Sequence, residues 1–176
     1  MLLNMQGKPI VLALATVSTG LVAGVYYGFS VAVNPGLARL PAPAYIAAMQ
    51  AINEVIVNPV FAASFFGAPL LLPLAAVLHA GRPHSWRFRL LVAASGIFLV
   101  GSLGVTVVGN IPLNDTLAAF PVATATPAQA VAARARFAAP WNRWHTVRAL
   151  ASTLALALAV GACLAVPAGR PRPAVK

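Results

Sequence analysis

Acidic side chains are nearly absent from this 176-residue chain, in which Glu54 and Asp115 are the only carboxylate residues. Charged residues make up 8% of the sequence, whereas hydrophobic residues make up 60%. Long, mostly apolar intervals separate the polar stretches, and about 20 such residues in a helix cross a hydrocarbon core of about 30 Å. This composition predicts an integral membrane protein rather than a soluble domain.

Cysteine and the motifs of common soluble enzymes are also scarce or missing. Cys163 is the one cysteine, so no intrachain disulfide can form. The sequence contains no Gly-x-Ser-x-Gly elbow, Walker loop, Gly-x-Gly-x-x-Gly fingerprint or Cys-x-x-Cys pair. These absences argue against a serine hydrolase, a nucleotide-binding domain and a dithiol redox protein.

Hydropathy predicts an all-α fold, a four-helix transmembrane bundle with short amphipathic helices in the two outer connections. Backbone amides in lipid need internal partners, which favours helices, and the alternation typical of a barrel is missing. We place a single four-span domain over 1–166, followed by a flexible basic tail at 167–176. The four spans are expected at about 10–33, 59–78, 90–109 and 144–166.

The connections on one side of the membrane carry local structure of their own. Asn34–Gly36, an Asn-Pro-Gly sequence, predicts a turn after the first span, and apolar residues then recur at helical spacing over 45–56. Thr126–Gln129 has the pattern of a capping box with proline in the first turn, which predicts a short helix to about Phe137. Pro140 is expected to bend or restart the chain before the last span.

The formal charge of +10 comes from twelve basic residues that are scattered without an aromatic-interleaved patch, so we expect no nucleic-acid partner. With four spans, one side holds Lys8, Arg82, Arg87, Arg89, Arg170, Arg172 and Lys176. The other side holds Arg39, Arg134, Arg136, Arg143 and Arg148. By the positive-inside rule, this bias predicts a multi-pass protein of the plasma (inner) membrane with both termini in the cytoplasm.

Small residues repeat every four positions along the first span, including Gly20, Gly24 and Gly28. Such a strip allows close helix–helix contact in lipid. It is expected to lie either inside the bundle or between the protomers of a homo-oligomer.

Most polar side chains able to do chemistry lie in the outer connections or at the adjacent span ends, which predicts an outward-facing polar pocket. They are Asn53, Glu54, Asn58, Asn110, Asn114, Asp115, Trp141, Asn142, Trp144, His145 and Arg148. Trp141, His145 and Arg148 share one helical face.

Arg148 is expected one to two turns below the membrane surface, where an arginine costs a few kcal/mol unless it finds a partner. It either pairs with Glu54 or Asp115, or snorkels, or locks two helices together. His145 is either a general base or an interfacial histidine between two belt tryptophans. Glu54, Asp115 and His145 lack close ligand spacing, so no metal site is expected.

Two motifs in combination identify a family. They are Thr106-x-x-x-Asn110-Ile111-Pro112-Leu113-Asn114 and Trp141-x-x-x-His145-x-x-Arg148. Together with the small-residue first span and the sequence 49–53, they make the chain resemble the anthrone oxygenase-like membrane proteins over about 12–160. The resemblance implies a cofactor-free monooxygenase that uses O₂ to convert an anthrone, a fused-ring phenolic ketone, into a quinone. Such a protein supplies a base, donors to an enolate oxygen and a dry pocket.

Residue type then suggests the roles. The catalytic candidates are His145 or Asp115 as base, with Arg148 as a donor to the enolate oxygen. The substrate-binding candidates are Asn53, Glu54, Asn110, Asn114, Trp141 and Trp144. The expected partners are membrane lipid, an aromatic small molecule and O₂. The alternative is a non-enzymatic accessory or transport subunit that binds a lipid or drug-like ligand in the same pocket.

Overall fold

The computed structural model describes residues 7–81 and 85–165. Within these ranges the chain is helical, without strands, and its helices are α1 (Gly7–Ala38), α2 (Ala42–Ile56), α3 (Pro59–Leu78), α4 (Trp86–Ala118) and α5 (Pro127–Leu164). All but α2 are long and apolar enough to cross a membrane. The predicted four-helix bundle of a multi-pass membrane protein is therefore confirmed. The predicted basic tail lies outside the described residues.

The bundle interior is built mainly from small side chains and a few large ones. Ala15, Ala68, Ala94 and Ala155 are fully buried and pack around Phe98. Small residues let helix backbones approach closely, which provides the van der Waals contact that holds helices together in lipid. The outward face is apolar instead, as expected for a surface that contacts acyl chains.

The glycine strip of α1 takes only a small part in this packing. A Cβ on Gly20 would contact Leu156 of α5 at 3.5 Å, whereas a Cβ on Gly24 or Gly28 would meet nothing within 4 Å. Most of the strip therefore lies off the helix–helix contacts of the bundle. Its use in a homo-oligomer stays a prediction.

Two prolines lie inside the long helices directly after π-helical segments. In α1, Phe29–Val33 is π-helical and the Asn34 N–H donates to the Phe29 carbonyl, one residue before Pro35. In α4, Thr106–Asn110 is π-helical directly before Ile111 and Pro112. A π turn moves hydrogen bonding from i−4 to i−5 and widens the helix where the proline ring would otherwise clash. The turn predicted at Asn34–Gly36 is therefore wrong, because the helix continues to Ala38.

Helix α5 is continuous over 38 residues, from the capping box formed by Thr126 and Gln129 to Leu164. The predicted capping box is confirmed. The predicted restart at Pro140 and the separate short helix to about Phe137 are wrong, because one helix runs through both, whereas a bend at Pro140 stays a prediction. Pro140 removes the donor that would bond to the carbonyl of Arg136, a residue on the exposed surface of the helix. At 1.5 Å per residue the helix spans about 57 Å, so it extends well beyond a hydrocarbon core of about 30 Å.

The extended ends of the helices form a roof over one end of the bundle, which we call the site end. The roof consists of α2, residues 111–118 of α4 and residues 127–141 of α5, and its core contains Met49, Leu117 and Phe137. The Gln50 side-chain amide donates to the Leu117 and Phe120 carbonyls at 2.8 and 2.9 Å. These bonds tie α2 to the end of α4.

Candidate active site

Arg148 lies at the centre of the site, on α5 and 8% exposed. Its guanidinium carbon is 4.3 Å from the centroid of the Tyr26 ring and 5.1 Å from that of Trp141. Its Nη1 donates to Thr106 Oγ1 at 3.4 Å, and its Nε donates to His145 Nδ1 at 3.3 Å. Aromatic faces and neutral acceptors therefore surround the charge, which lowers the cost of holding a cation at this depth.

His145 is fixed behind Arg148 by a chain of hydrogen bonds. Because arginine can only donate, His145 Nδ1 is the acceptor and carries no proton. The proton is then on Nε2, which lies 3.0 Å from Ser30 Oγ and donates to it, while Ser30 donates to the Tyr26 carbonyl at 2.9 Å. The imidazole also stacks on Trp141, with ring centroids 4.9 Å apart. This network fixes both the tautomer and the ring orientation.

The two asparagines of the Asn-Ile-Pro-Leu-Asn motif both hold Trp141. Asn114 Oδ1 accepts from Trp141 Nε1 at 2.7 Å, and Asn110 Nδ2 donates to the Trp141 carbonyl at 3.2 Å. An indole N–H can only donate, so this bond orients the Asn114 amide with its NH₂ group away from Trp141. Asn110 Oδ1 is buried and has no hydrogen-bond partner among the described residues. The α4 motif therefore positions the α5 motif.

A cavity of about 310 Å³ lies beside Arg148, between the bundle and the roof. Its walls are mostly aromatic and aliphatic, with a few polar groups that converge from four helices. The polar and aromatic lining residues include Tyr26, Phe29, Asn53, Asn58, Phe61, Phe65, Phe66, Thr106, Asn114, Trp141 and Arg148. A volume of this size and an apolar lining with few polar groups are typical of small-molecule sites.

Four of the site residues predicted from the sequence line this cavity, namely Asn53, Asn114, Trp141 and Arg148. His145 and Asn110 are buried directly behind the cavity wall, 2% and 0% exposed. They contact the lining residues without lining the cavity themselves.

Glu54, Asp115 and Trp144 lie on exposed faces and do not line the cavity. Neither carboxylate forms an ion pair with Arg148 in the described part of the chain, so the expected pairing is not observed. Trp144 instead covers Gly109, where an added Cβ would lie 2.5 Å from the indole. Over 7–81 and 85–165 no three His, Cys, Asp or Glu residues are grouped to hold a metal ion.

Sequence reasoning missed the contribution of α1. Tyr26 covers the guanidinium with its ring and Ser30 accepts from His145. The two residues are four apart, and therefore on one helical face, in a span that also carries Thr16, Ser18, Thr19 and Tyr27. That pair of hydroxyl groups was the available signal.

The fold and the site define a class: a four-span helical membrane protein with a buried arginine–histidine pair beside an aromatic-lined cavity. A family model described as anthrone oxygenase matches residues 59–158, more than half of the chain. The chain therefore belongs to the anthrone oxygenase family. The match covers α3, α4 and most of α5, and with them Asn114, Trp141 and Arg148. No curated protein and no solved structure matches the chain.

Proposed function

We propose that this protein is a membrane oxygenase that oxidises an anthrone-like aromatic ketone to a quinone with O₂. The observation that carries the proposal is Arg148, a buried cation that lines an aromatic cavity and has no carboxylate partner among the described residues. Family membership supports the reaction type. An enolate oxygen would supply the negative charge that the site lacks.

The chemistry balances without a further reductant. Anthrone loses a proton from its ring CH₂ to give an enolate, whose carbon then forms a bond to O₂ and becomes a hydroperoxide. Loss of water from that carbon leaves the second carbonyl, so anthrone and O₂ give anthraquinone and H₂O. The carbon is oxidised by four electrons and O₂ is reduced by four, and one of its oxygen atoms stays in the quinone.

Arg148 is proposed as the donor to the enolate oxygen. Arginine has five N–H donors and the bonds to His145 and Thr106 use three of them, which leaves two for a ligand. The Asn114 NH₂ group is proposed as a further donor. Donors held in place before the reaction stabilise a developing oxyanion without reorganisation, and each contributes about 10²–10³ in kcat.

His145 is proposed as a positioning residue for Arg148 rather than as the base. Its Nδ1 accepts from the guanidinium, and its ring does not line the cavity. Because the exposed Asp115 does not line it either, ionisation depends on the acidity that Arg148 confers on the bound ketone. The proton then leaves to water.

Oxygen uptake by purified protein in lipid nanodiscs, supplied with a simple anthrone, tests the proposal. Wild type is expected to consume one O₂ per quinone formed, above the autoxidation rate of empty nanodiscs. Arg148→Gln should lower kcat/KM by about 10²–10³. Arg143→Gln, an exposed arginine on the same helix, should have no effect. Equal uptake in all three proteins and in empty nanodiscs would remove the enzymatic proposal.

Two His145 variants test its role. His145→Ala should lower kcat, whereas His145→Asn, which keeps an acceptor for Arg148, should restore most of it. The pH–rate profile of each variant should have the same shape as that of wild type. Loss of an ionisation from that profile would show that His145 is the base.

Sidedness is proposed from charge, with both termini cytoplasmic and the site end outside the inner membrane. In a Cys163→Ala background, single cysteines at positions 87 and 129 should react with impermeant maleimides from opposite sides of the membrane. Reaction of position 129 from the cytoplasm would invert the topology.

A further inference from the structure

The cavity has a gap on one side, between α3 and α4. Helix α3 packs against residues 86–104 of α4, without comparable packing against residues 106–118. The cavity lies in this space, with Phe61 and Phe66 of α3 on one side and Ile111 of α4 on the other. The remaining sides are closed by α1, α5 and the roof.

The gap reaches into the hydrocarbon layer. Helix α3 begins at Pro59, and its 20 residues at 1.5 Å each are just long enough to cross a hydrocarbon core of about 30 Å. Phe66 is seven residues further along (59 to 66), hence about 10 Å below the start of the span. Phe66 is 56% exposed and Ile111 is 42% exposed, so both sides of the gap present apolar side chains to the outside of the bundle.

The lining changes in character with depth. Asn53 and Asn58 come before the start of the span at Pro59, while the phenylalanines at positions 61, 65 and 66 lie within the span. Arg148 and Tyr26 stand at the back of the cavity, on α5 and α1. A flat apolar molecule dissolved in the bilayer can therefore pass between aromatic side chains before it meets the cation.

We propose that the cavity opens sideways to the bilayer through this gap, and that its substrate enters as a neutral, membrane-dissolved polycyclic aromatic. The inference rests on the proposed function for the identity of the substrate, but the opening itself is independent of turnover. The neutral ketone partitions into lipid, whereas its enolate is poorly soluble there. The neutral ketone then enters from lipid at one end of the cavity, and it is ionised beside Arg148 at the other end.

Quenching of Trp141 by lipids with brominated acyl chains tests the opening without any activity. The other tryptophans are replaced, as Trp86→Phe and Trp144→Phe, so that emission reports Trp141 alone. Trp141 lines the cavity and is 2% exposed, so strong quenching requires an acyl chain to approach it through the gap. Bromine near the headgroup end of the chain should quench more than bromine near its terminus.

Two neighbouring alanines of α3 provide the matched pair of variants. Ala62 lines the cavity, whereas Ala63 is exposed and does not line it. Ala62→Phe should abolish most of the bromolipid quenching, and Ala63→Phe should leave it unchanged. Ala62→Leu gives the same comparison with less added bulk if the phenylalanine variant does not fold.

The outcomes separate the two proposals. Quenching that is absent from wild type, or is unchanged by substitution at Ala62, overturns the lateral opening whatever the activity. If the protein also turns over an anthrone, its apparent KM should be constant as a mole fraction in lipid and should vary in aqueous units when the lipid-to-protein ratio changes. Quenching that behaves as expected without turnover would support the opening and contradict the oxygenase proposal alone.

Discussion

Replacing Arg148 with glutamine should make a bound phenolic ligand harder to ionise. A guanidinium about 4 Å from a phenolate oxygen contributes about 4 kcal/mol at an effective dielectric constant of about 20. That energy corresponds to about three pKa units of the ligand. The apolar cavity acts in the opposite direction, because desolvation raises the pKa of a phenol. Arg148→Gln keeps the cavity and removes the attraction, so the difference between the two proteins isolates the arginine.

A hydroxyanthraquinone is a suitable probe because it is already a quinone and its absorption moves to longer wavelength when it ionises. Its absorbance is titrated with pH in nanodiscs that contain wild type, Arg148→Gln or Arg143→Gln. We expect the pKa of the bound dye to be up to about three units higher in Arg148→Gln than in the other two. Arg148→Lys should retain much of the wild-type shift, because it keeps the charge.

Folding of the variant is not expected to limit this experiment. Removing a buried charge that has no carboxylate partner relieves the cost of keeping it out of water, and glutamine keeps an amide donor for His145 or Thr106. Arg148→Gln should therefore elute as a single species, with a thermal midpoint at or above that of wild type. An unchanged pKa of the dye, with binding retained, would refute the assignment of Arg148 as the partner of the ligand oxygen.

Three further variants test the packing around the site. Gly101→Ala would place a methyl group 2.7 Å from the Cβ of Ala151 on α5 and should destabilise the bundle by about 1–3 kcal/mol. The control is Gly96→Ala, whose Cβ would meet nothing within 4 Å. This control should not lower the thermal midpoint in detergent, whereas Gly101→Ala should. Gln50→Ala removes both bonds to the end of α4 and should speed amide hydrogen exchange over 111–125, while an unchanged rate would show that the roof is held by apolar packing alone. Trp141→Phe loses the bond to Asn114, worth about 1 kcal/mol, and should lower kcat/KM about fivefold. In an Asn114→Ala background, where that bond is already lost, Trp141→Phe should add little, and a further fivefold loss would contradict the coupling.

The sequence was sufficient for the number of spans but not for where the helices end. Hydropathy reports which residues tolerate lipid, and it predicted four spans where the structure has four long apolar helices, of which only Pro59–Leu78 has the predicted bounds. Pro35 was expected to lie in a turn and Pro140 to bend or restart the chain, yet each lies inside a helix, as does Pro112. Pro35 and Pro112 follow π turns that accommodate the ring, and Pro140 faces the carbonyl of Arg136, an exposed residue. Such local accommodations depend on hydrogen bonds that a single-residue preference does not contain.

For the site, helical periodicity correctly predicted which residues share a face when they lie on one continuous helix. Trp141 and Arg148 were placed on one face of α5, and both line the cavity. The same rule could not choose between Asn114 and Asp115, which are neighbours and point about 100° apart on a helix. The rotation of this part of α4 follows from the π turns before it, and it brings Asn114 to the cavity and leaves Asp115 exposed.

The scarcity of carboxylates and the state of Arg148 are linked under the proposed function. A carboxylate beside Arg148 would form a strong pair in this low-dielectric site and would compete with the oxygen of any ligand. Tyr26, Trp141 and Thr106 lower the cost of the buried cation without neutralising it. The charge therefore stays available to an enolate. A carboxylate introduced next to it, for example by Thr106→Asp, leaves the arginine in place. It should nevertheless abolish the lowering of the ligand pKa by Arg148.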